Sequence, residues 1–98
     1  MANNNIAFAL SLAQKAGKAA SGDFAVRTAL KSGKTRLLVL AEDAAPNSKK
    51  DMCYLAEQAE VPVLEAMSRD ELGHAIGKAP RVAVAIIDDN FANMLLKK

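Results

Sequence analysis

Ser32-Gly33-Lys34-Thr35 carries the residue types that close a phosphate-cradling loop, in which backbone amides and a lysine hold phosphates and a hydroxyl holds magnesium. That loop needs a second glycine five residues before Gly33, where this chain has Thr28. It must also follow a strand and open a helix, whereas the hydrophobic pattern places the tetrapeptide after a helix and before a strand. A small nucleotide-binding enzyme is therefore a remote reading, and Gly33 reads as a helix stop. Cys53 adjoins Met52 in a helical stretch, where a buried thiol with no electropositive neighbour stays protonated and inert. One cysteine and one histidine, His74, are too few soft ligands for zinc, and no motif pairs either with a nucleophile. Glu42 and Asp43 follow a strand, a frequent ligand position in α/β sheets, but adjacent strand residues point opposite ways, and capping the next turn is the better role. No catalytic residue, metal or cofactor is expected. Arg27, Lys31 and Lys34 make the sharper pattern, because spacings of i, i+4 and i+7 put cations on one helix face. Gly22 and Asp23 would open that helix, with Lys15 and Lys18 brought to the same region, and free amides beside cations attract phosphate.

These residues need elements to hold them. Ile6, Leu10 and Ala13, with Phe8 and Leu12 beside them, predict a helix over 4–17. A brief extended link or edge strand over 18–21 follows, then a second helix from Asp23 to about Ser32 with Val26 and Leu30 inward. Leu37 to Ala41 is continuously apolar and predicts a central strand covered on both faces. Ser48 and Asp51 predict a capping pair for a helix that turns Met52, Leu55, Ala56 and Ala59 inward. Val61 to Leu64 reads as a short strand, and Ser68-Arg69-Asp70-Glu71 as a capping box that opens a short helix closed by Gly77. Val82 to Ile87 is a second wholly apolar strand. Asp88 and Asp89 start a last helix with Phe91, Met94 and Leu95 on one side. Strands buried on both faces and alternating with helices give an α/β class, a three-layer α/β/α sandwich with a small mixed sheet.

The 98 residues suffice for one domain, 1–98, with 51% hydrophobic and 24% charged residues excluding a disordered chain. No apolar run reaches membrane-spanning length and the start lacks a basic signal region, so a cytoplasmic protein with no membrane partner is expected. The net charge of +2 is unevenly spread: residues 1–36 hold six basic and one acidic residue, and the other 62 hold seven basic and ten acidic. Such polarity is a cue for a polyanion-binding face.

Ser21-Gly22-Asp23-Phe24-Ala25-Val26-Arg27, then Leu38-Val39-Leu40-Ala41-Glu42-Asp43-Ala44-Ala45-Pro46, Val61-Pro62-Val63, Ser68-Arg69-Asp70-Glu71-Leu72-Gly73 and the strand from Val82 to Ile87, taken in this order, resemble the L7Ae-type ribosomal-protein family of kink-turn RNA binders. The likeness spans nearly the whole chain. It is strongest to the small bacterial ribosome-associated members, through Gly77-Lys78 and Asp88 to Asn93. It implies an α/β/α sandwich and a non-enzymatic RNA-binding protein that recognises structured RNA, kink-turn-like or with an internal loop. The partners implied are ribosomal RNA and ribosomal proteins, with a monomer expected when free. The family's Asn-Glu-x-x-Lys opening of helix two, which reads sheared G·A pairs, falls on Asp23, Phe24 and Arg27, and its apolar loop on Glu65, Ala66, Met67 and Ser68. Arginine can pair bidentately with a guanine edge, Asp23 keeps acceptors only, and Phe24, which cannot hydrogen-bond, either stacks on a base or faces the core. The expected RNA-binding residues are thus Gly22, Asp23, Phe24, Arg27, Lys31 and Lys34, with Glu65, Ala66, Met67 and Ser68. The alternative is a protein-interaction module of a ribosomal or RNA-processing assembly, docking around Met67 and the last helix with only weak, nonspecific RNA contact.

Overall fold

The computed structural model describes residues 2–96. In chain order the elements are α1 (Ala2–Lys15), β1 (Ala19–Ser21), α2 (Asp23–Lys31), β2 (Leu37–Leu40), α3 (Pro46–Gln58), β3 (Val63–Glu65), α4 (Arg69–Ala75), β4 (Ala83–Ile86) and α5 (Asp89–Leu96). Among the described residues the strands form one mixed sheet in the order β1-β4-β2-β3. β4 runs antiparallel to both neighbours, pairing Ser21 with Val84 and Leu40 with Ala83, and β3 runs parallel to β2. The two short strands, β1 and β3, take the sheet edges, so of the two readings of 18–21, extended link or edge strand, the second holds.

Every residue of β2 and β4 is buried, because the pleat sends alternate side chains into two separate cores. Leu37, Val39, Val84 and Ile86 face Leu10, Ala13, Leu72, Ala92 and Leu95 of α1, α4 and α5. Leu38, Leu40, Ala83 and Ala85 face Val26, Leu30, Met52 and Ala56 of α2 and α3. Helices on both faces of a mixed sheet make the three-layer α/β/α sandwich expected from the two apolar runs.

The capping box at α4 is present: Ser68 Oγ accepts from the Glu71 amide at 3.1 Å, and Glu71 Oε1 accepts from the Ser68 amide at 2.8 Å. Ser68→Ala is expected to lower stability by about 1 kcal/mol, the usual worth of a hydroxyl N-cap. Urea denaturation checks this, and an unchanged midpoint would contradict it.

Several local expectations are corrected. α3 begins two residues before Ser48, with Pro46 in its first turn and no side-chain cap at Ala45. Proline's missing N–H suits that position, and Asp51 is left free for another use. β3 starts at Val63, not at Val61. Phe8 lies on the outer crest of α1 and is 64% exposed, and Met94 is 47% exposed. The inner stripe of α1 needs only Leu10, Ala9 and Ala13, so the neighbouring large side chain is turned outward. Cys53 is exposed, one position off the buried line of Met52 and Ala56. Helix α2 ends at Lys31, with Ser32 as C-cap and Gly33 at φ 78°, so Lys34 has left the helical face that Arg27 and Lys31 share.

Candidate nucleic-acid interface

The sheet's pairing decides which loops meet. β1, β2 and β3 all end at the edge where β4 begins, so four connections crowd along it in strand order: the start of α2, the segment before β4, the 41–45 turn, and the 66–68 loop. The neighbour of α2 at this edge is therefore the segment from Ala79 to Val82. The 65–68 loop lies three strand spacings along the same edge, about 14 Å away.

A cleft of about 210 Å³ opens between α2 and that segment, lined by Gly22, Asp23, Ser48, Met52 and Pro80 to Ala83. Gly22 adopts φ 93°, a conformation that favours glycine, and no side chain caps α2. Its first-turn amides are thus left for solvent or an anion. Phe24, 83% exposed in that first turn, presents a free aromatic face. Arg81 reaches into the same place from the far wall. Its Nη1 donates to the carbonyls of Ala79 at 3.2 Å and Pro80 at 3.3 Å, and its Nε lies 3.5 Å from Ser21 Oγ. All these acceptors are neutral, and among the described residues no carboxylate pairs with this guanidinium.

Arg27 is different. Its Nε donates to Asp23 Oδ2 at 2.9 Å, and its Nη2 lies 3.6 Å from Asp51 Oδ2 on α3. The hydrogen bond to Asp23 chiefly raises its affinity for its proton; partial burial works against this, and the charges of Asp23 and Asp51 add to it. Arg27 stays charged at any working pH, and two acids already hold its fork. Lys31 is exposed at the other end of the nine-residue α2, about 12 Å from Asp23, and Lys34 lies beyond it. Lys15 and Lys18 also sit at that far end, separated from Gly22 by the length of β1. One patch was expected at the start of α2; the structure shows cations at two ends.

In the 65–68 loop, Ala66 and Met67 are buried in the α1/α4/α5 core. Met67 adopts φ 70°, and its carbonyl accepts the Glu42 amide at 2.8 Å. Glu65 and Ser68 remain at the surface, Glu65 Oε1 paired with Lys49 Nζ at 3.1 Å and Ser68 engaged as the α4 cap. Asp43 has a capping role, though for a helix far along the chain: its Oδ1 accepts the Arg69 amide at 2.8 Å.

Sequence reasoning passed over Pro80 and Arg81 and read Val82 only as the start of a strand. Their signal was an arginine immediately before the second apolar strand, legible only to a reader who also knew that β4 pairs with β1. Among the described residues no cluster of three or more His, Cys, Asp or Glu could hold a metal, and no helix is long and apolar enough to cross a membrane.

The geometry has company. A family described as ribosomal protein L7Ae/L30e/S12e/Gadd45 matches residues 4–96. A Bacillus subtilis protein named RNA-binding protein YlxQ is 38% identical over 87 residues, covering 89% of this chain and 87% of that one. Its Enterococcus faecium namesake is 34% identical over 83 residues, covering 85% and 80%. Among solved structures, a Bacillus halodurans protein of unknown function superposes with a TM-score of 0.88 at 30% identity, covering 94% and 93% of the two chains. A Giardia lamblia 15.5 kDa RNA-binding protein shares the fold, with a TM-score of 0.82 at 19% identity over 98% and 82%.

Proposed function

Since the chain belongs to the ribosomal protein L7Ae/L30e/S12e/Gadd45 family, we propose that it is a non-enzymatic RNA-binding protein whose ligand is structured RNA of the kink-turn or internal-loop kind, met on the ribosome. The observation that carries this reading is Arg81, a guanidinium held only by neutral oxygens across a cleft from the uncapped amides of α2. A helix start with free amides takes a phosphate, and a planar fork beside it takes a second phosphate or a guanine edge. Phe24, exposed in the first turn of α2, stacks on a base that an internal loop leaves unpaired. Gly22 and Asp23 form the near wall, and Glu65 and Ser68 form the distal rim of the same edge, while Ala66 and Met67, expected there, are buried in the core. The two relatives named as RNA-binding proteins support the same ligand class.

The test is a gel-shift titration of the full chain with three RNAs of equal length: a kink-turn hairpin, an internal-loop hairpin and a perfect duplex. Tighter binding to the first two supports the reading, and equal or absent binding to all three rejects it. Arg27 adds a prediction of its own. Asp51→Asn removes one acid holding its fork and one negative charge from the surface an RNA would approach. Exposed pairs of this kind are worth about 0.2–1 kcal/mol, so the variant is expected to bind RNA more tightly, by up to about fivefold. Unaltered or weaker affinity in the same titration would show that Arg27 does not face the RNA.

A further inference from the structure

The cations at the far end of the molecule form a surface of their own. Lys18 and Arg36 flank Ile87, since the Ile87 amide donates to the Lys18 carbonyl at 2.9 Å and the Arg36 amide to the Ile86 carbonyl at 2.7 Å. The β1–β4–β2 pairing thus brings Lys18 and Arg36 to the same end of the sheet, with the end of β4 between them and their backbones two strand spacings, about 10 Å, apart. Lys31 closes α2 at this end, Lys34 lies in the link to β2, and Lys15 closes α1. All five are exposed. Arg36 pairs with Asp89 at 3.2 Å, whereas Lys15, Lys18, Lys31 and Lys34 have no carboxylate partner among the described residues.

Their positions near helix ends suggest a plainer role, as caps for the last carbonyls of α1 and α2. Among the described residues none of the four lysine ammonium groups donates to such a carbonyl, although the Arg36 guanidinium does, to Gly33. The acids nearby are engaged elsewhere or few: Asp88 accepts the amides of Asn90 and Phe91, Asp89 holds Arg36, and Glu60 ends the turn after α3.

We infer that this end is a second RNA-binding surface, one that takes the phosphate backbone of a segment other than the one in the α2–Arg81 cleft. The inference rests on the RNA-binding reading above. The two surfaces lie at opposite ends of α2 and β1, in a molecule of 29 × 26 × 21 Å, so a short hairpin seated in the cleft leaves the lysines free. The chemistry favours nucleic acid over protein. The exposed large apolar residues are Phe8, Phe24, Tyr54, Val63 and Met94, and none belongs to the 15–18 or 31–36 segments. A protein interface is depleted in lysine and centres on an apolar anchor; apart from a shallow cleft lined by Leu30, Lys31, Leu55 and Ala59, this end offers exposed point charges, which suit a phosphate chain.

The test compares Lys18→Gln/Lys34→Gln with the wild-type chain on two RNAs, a minimal internal-loop hairpin and the same hairpin extended by a flanking helix. Both positions are exposed and unpaired, so the variant keeps the fold, which its thermal transition verifies. The expected result is unchanged affinity for the minimal hairpin. On the extended RNA, affinity falls about tenfold and the slope of log affinity against log salt falls by about 1.5, as expected for two lost phosphate contacts. Unchanged affinity and slope on the extended RNA overturn the inference while leaving the cleft reading intact, and equal losses on both RNAs overturn it as well. Intact RNA binding with lost binding to a polyglutamate peptide assigns the surface to an acidic protein instead. If the wild-type chain binds neither RNA, the cleft reading falls together with this one.

Discussion

Arg81→Ala is expected to weaken binding of an internal-loop or kink-turn hairpin by about tenfold to a hundredfold, the effect of losing a guanidinium contact worth about 1–3 kcal/mol. The loss should be one of binding only. Arg81 is half-buried and, among the described residues, its guanidinium donates only to Ala79, Pro80 and Ser21 oxygens, so truncation leaves no charge unpaired, while its backbone bond to Arg69 is kept. Arg81→Lys keeps the charge and loses the fork. It should recover the salt-dependent part of the affinity while leaving the preference for looped RNA over duplex reduced. Gel-shift titrations at two salt concentrations, with thermal denaturation as the folding control, decide the matter. An affinity within twofold of the wild type would remove Arg81 from the interface.

Gly73→Ala is expected to be the most damaging single methyl in the chain. A Cβ at Gly73 would stand 2.7 Å from the carbonyl carbon of Ala79 and 2.9 Å from Cα of Pro80, both backbone atoms that cannot turn aside. α4 and the segment leading into β4 touch directly there, and a side chain must push them apart at a cost of about 1–3 kcal/mol or more. The displaced segment carries Pro80 and Arg81. RNA affinity should therefore fall even at temperatures where the variant is folded. Gly77→Ala is the control: Gly77 sits at φ 70° with open space around it, so the substitution costs about 1 kcal/mol of backbone strain and moves nothing. A Gly73→Ala chain with wild-type melting temperature and RNA affinity would refute this coupling.

The contrast between Gly73 and Arg81 shows what the amino-acid order makes legible. Leu37 to Ala41 and Val82 to Ile87 are apolar at every position, which only a strand covered on both sides tolerates, and from those two runs the layered architecture follows. Ser68 and Glu71 announce their helix start three residues apart, within one turn. The site is harder because it depends on which strands pair. Inserting β4 between β1 and β2 brings residue 81 beside residue 22, a contact across about sixty positions that no local pattern encodes. For the same reason the spacing of Arg27 and Lys31 shows a shared helix face but not Asp51, which arrives on a different helix and occupies the Arg27 fork. Lys34 continues the spacing of that face, yet Gly33 turns the chain away first.

The borders of the sheet have a last consequence, for behaviour at high concentration. An uncovered strand offers a row of unsatisfied amides and carbonyls on which another polypeptide can add itself and begin a fibril. Here each border is three residues long, and the one formed by β3 ends in Glu65, clasped by Lys49. Three residues fall short of the six or seven that a self-propagating stack requires, and a charged pair at the rim resists flat stacking. The wholly apolar strands that would be the greater hazard, β2 and β4, are enclosed between their neighbours, so the folded protein keeps its most aggregation-prone segments out of reach.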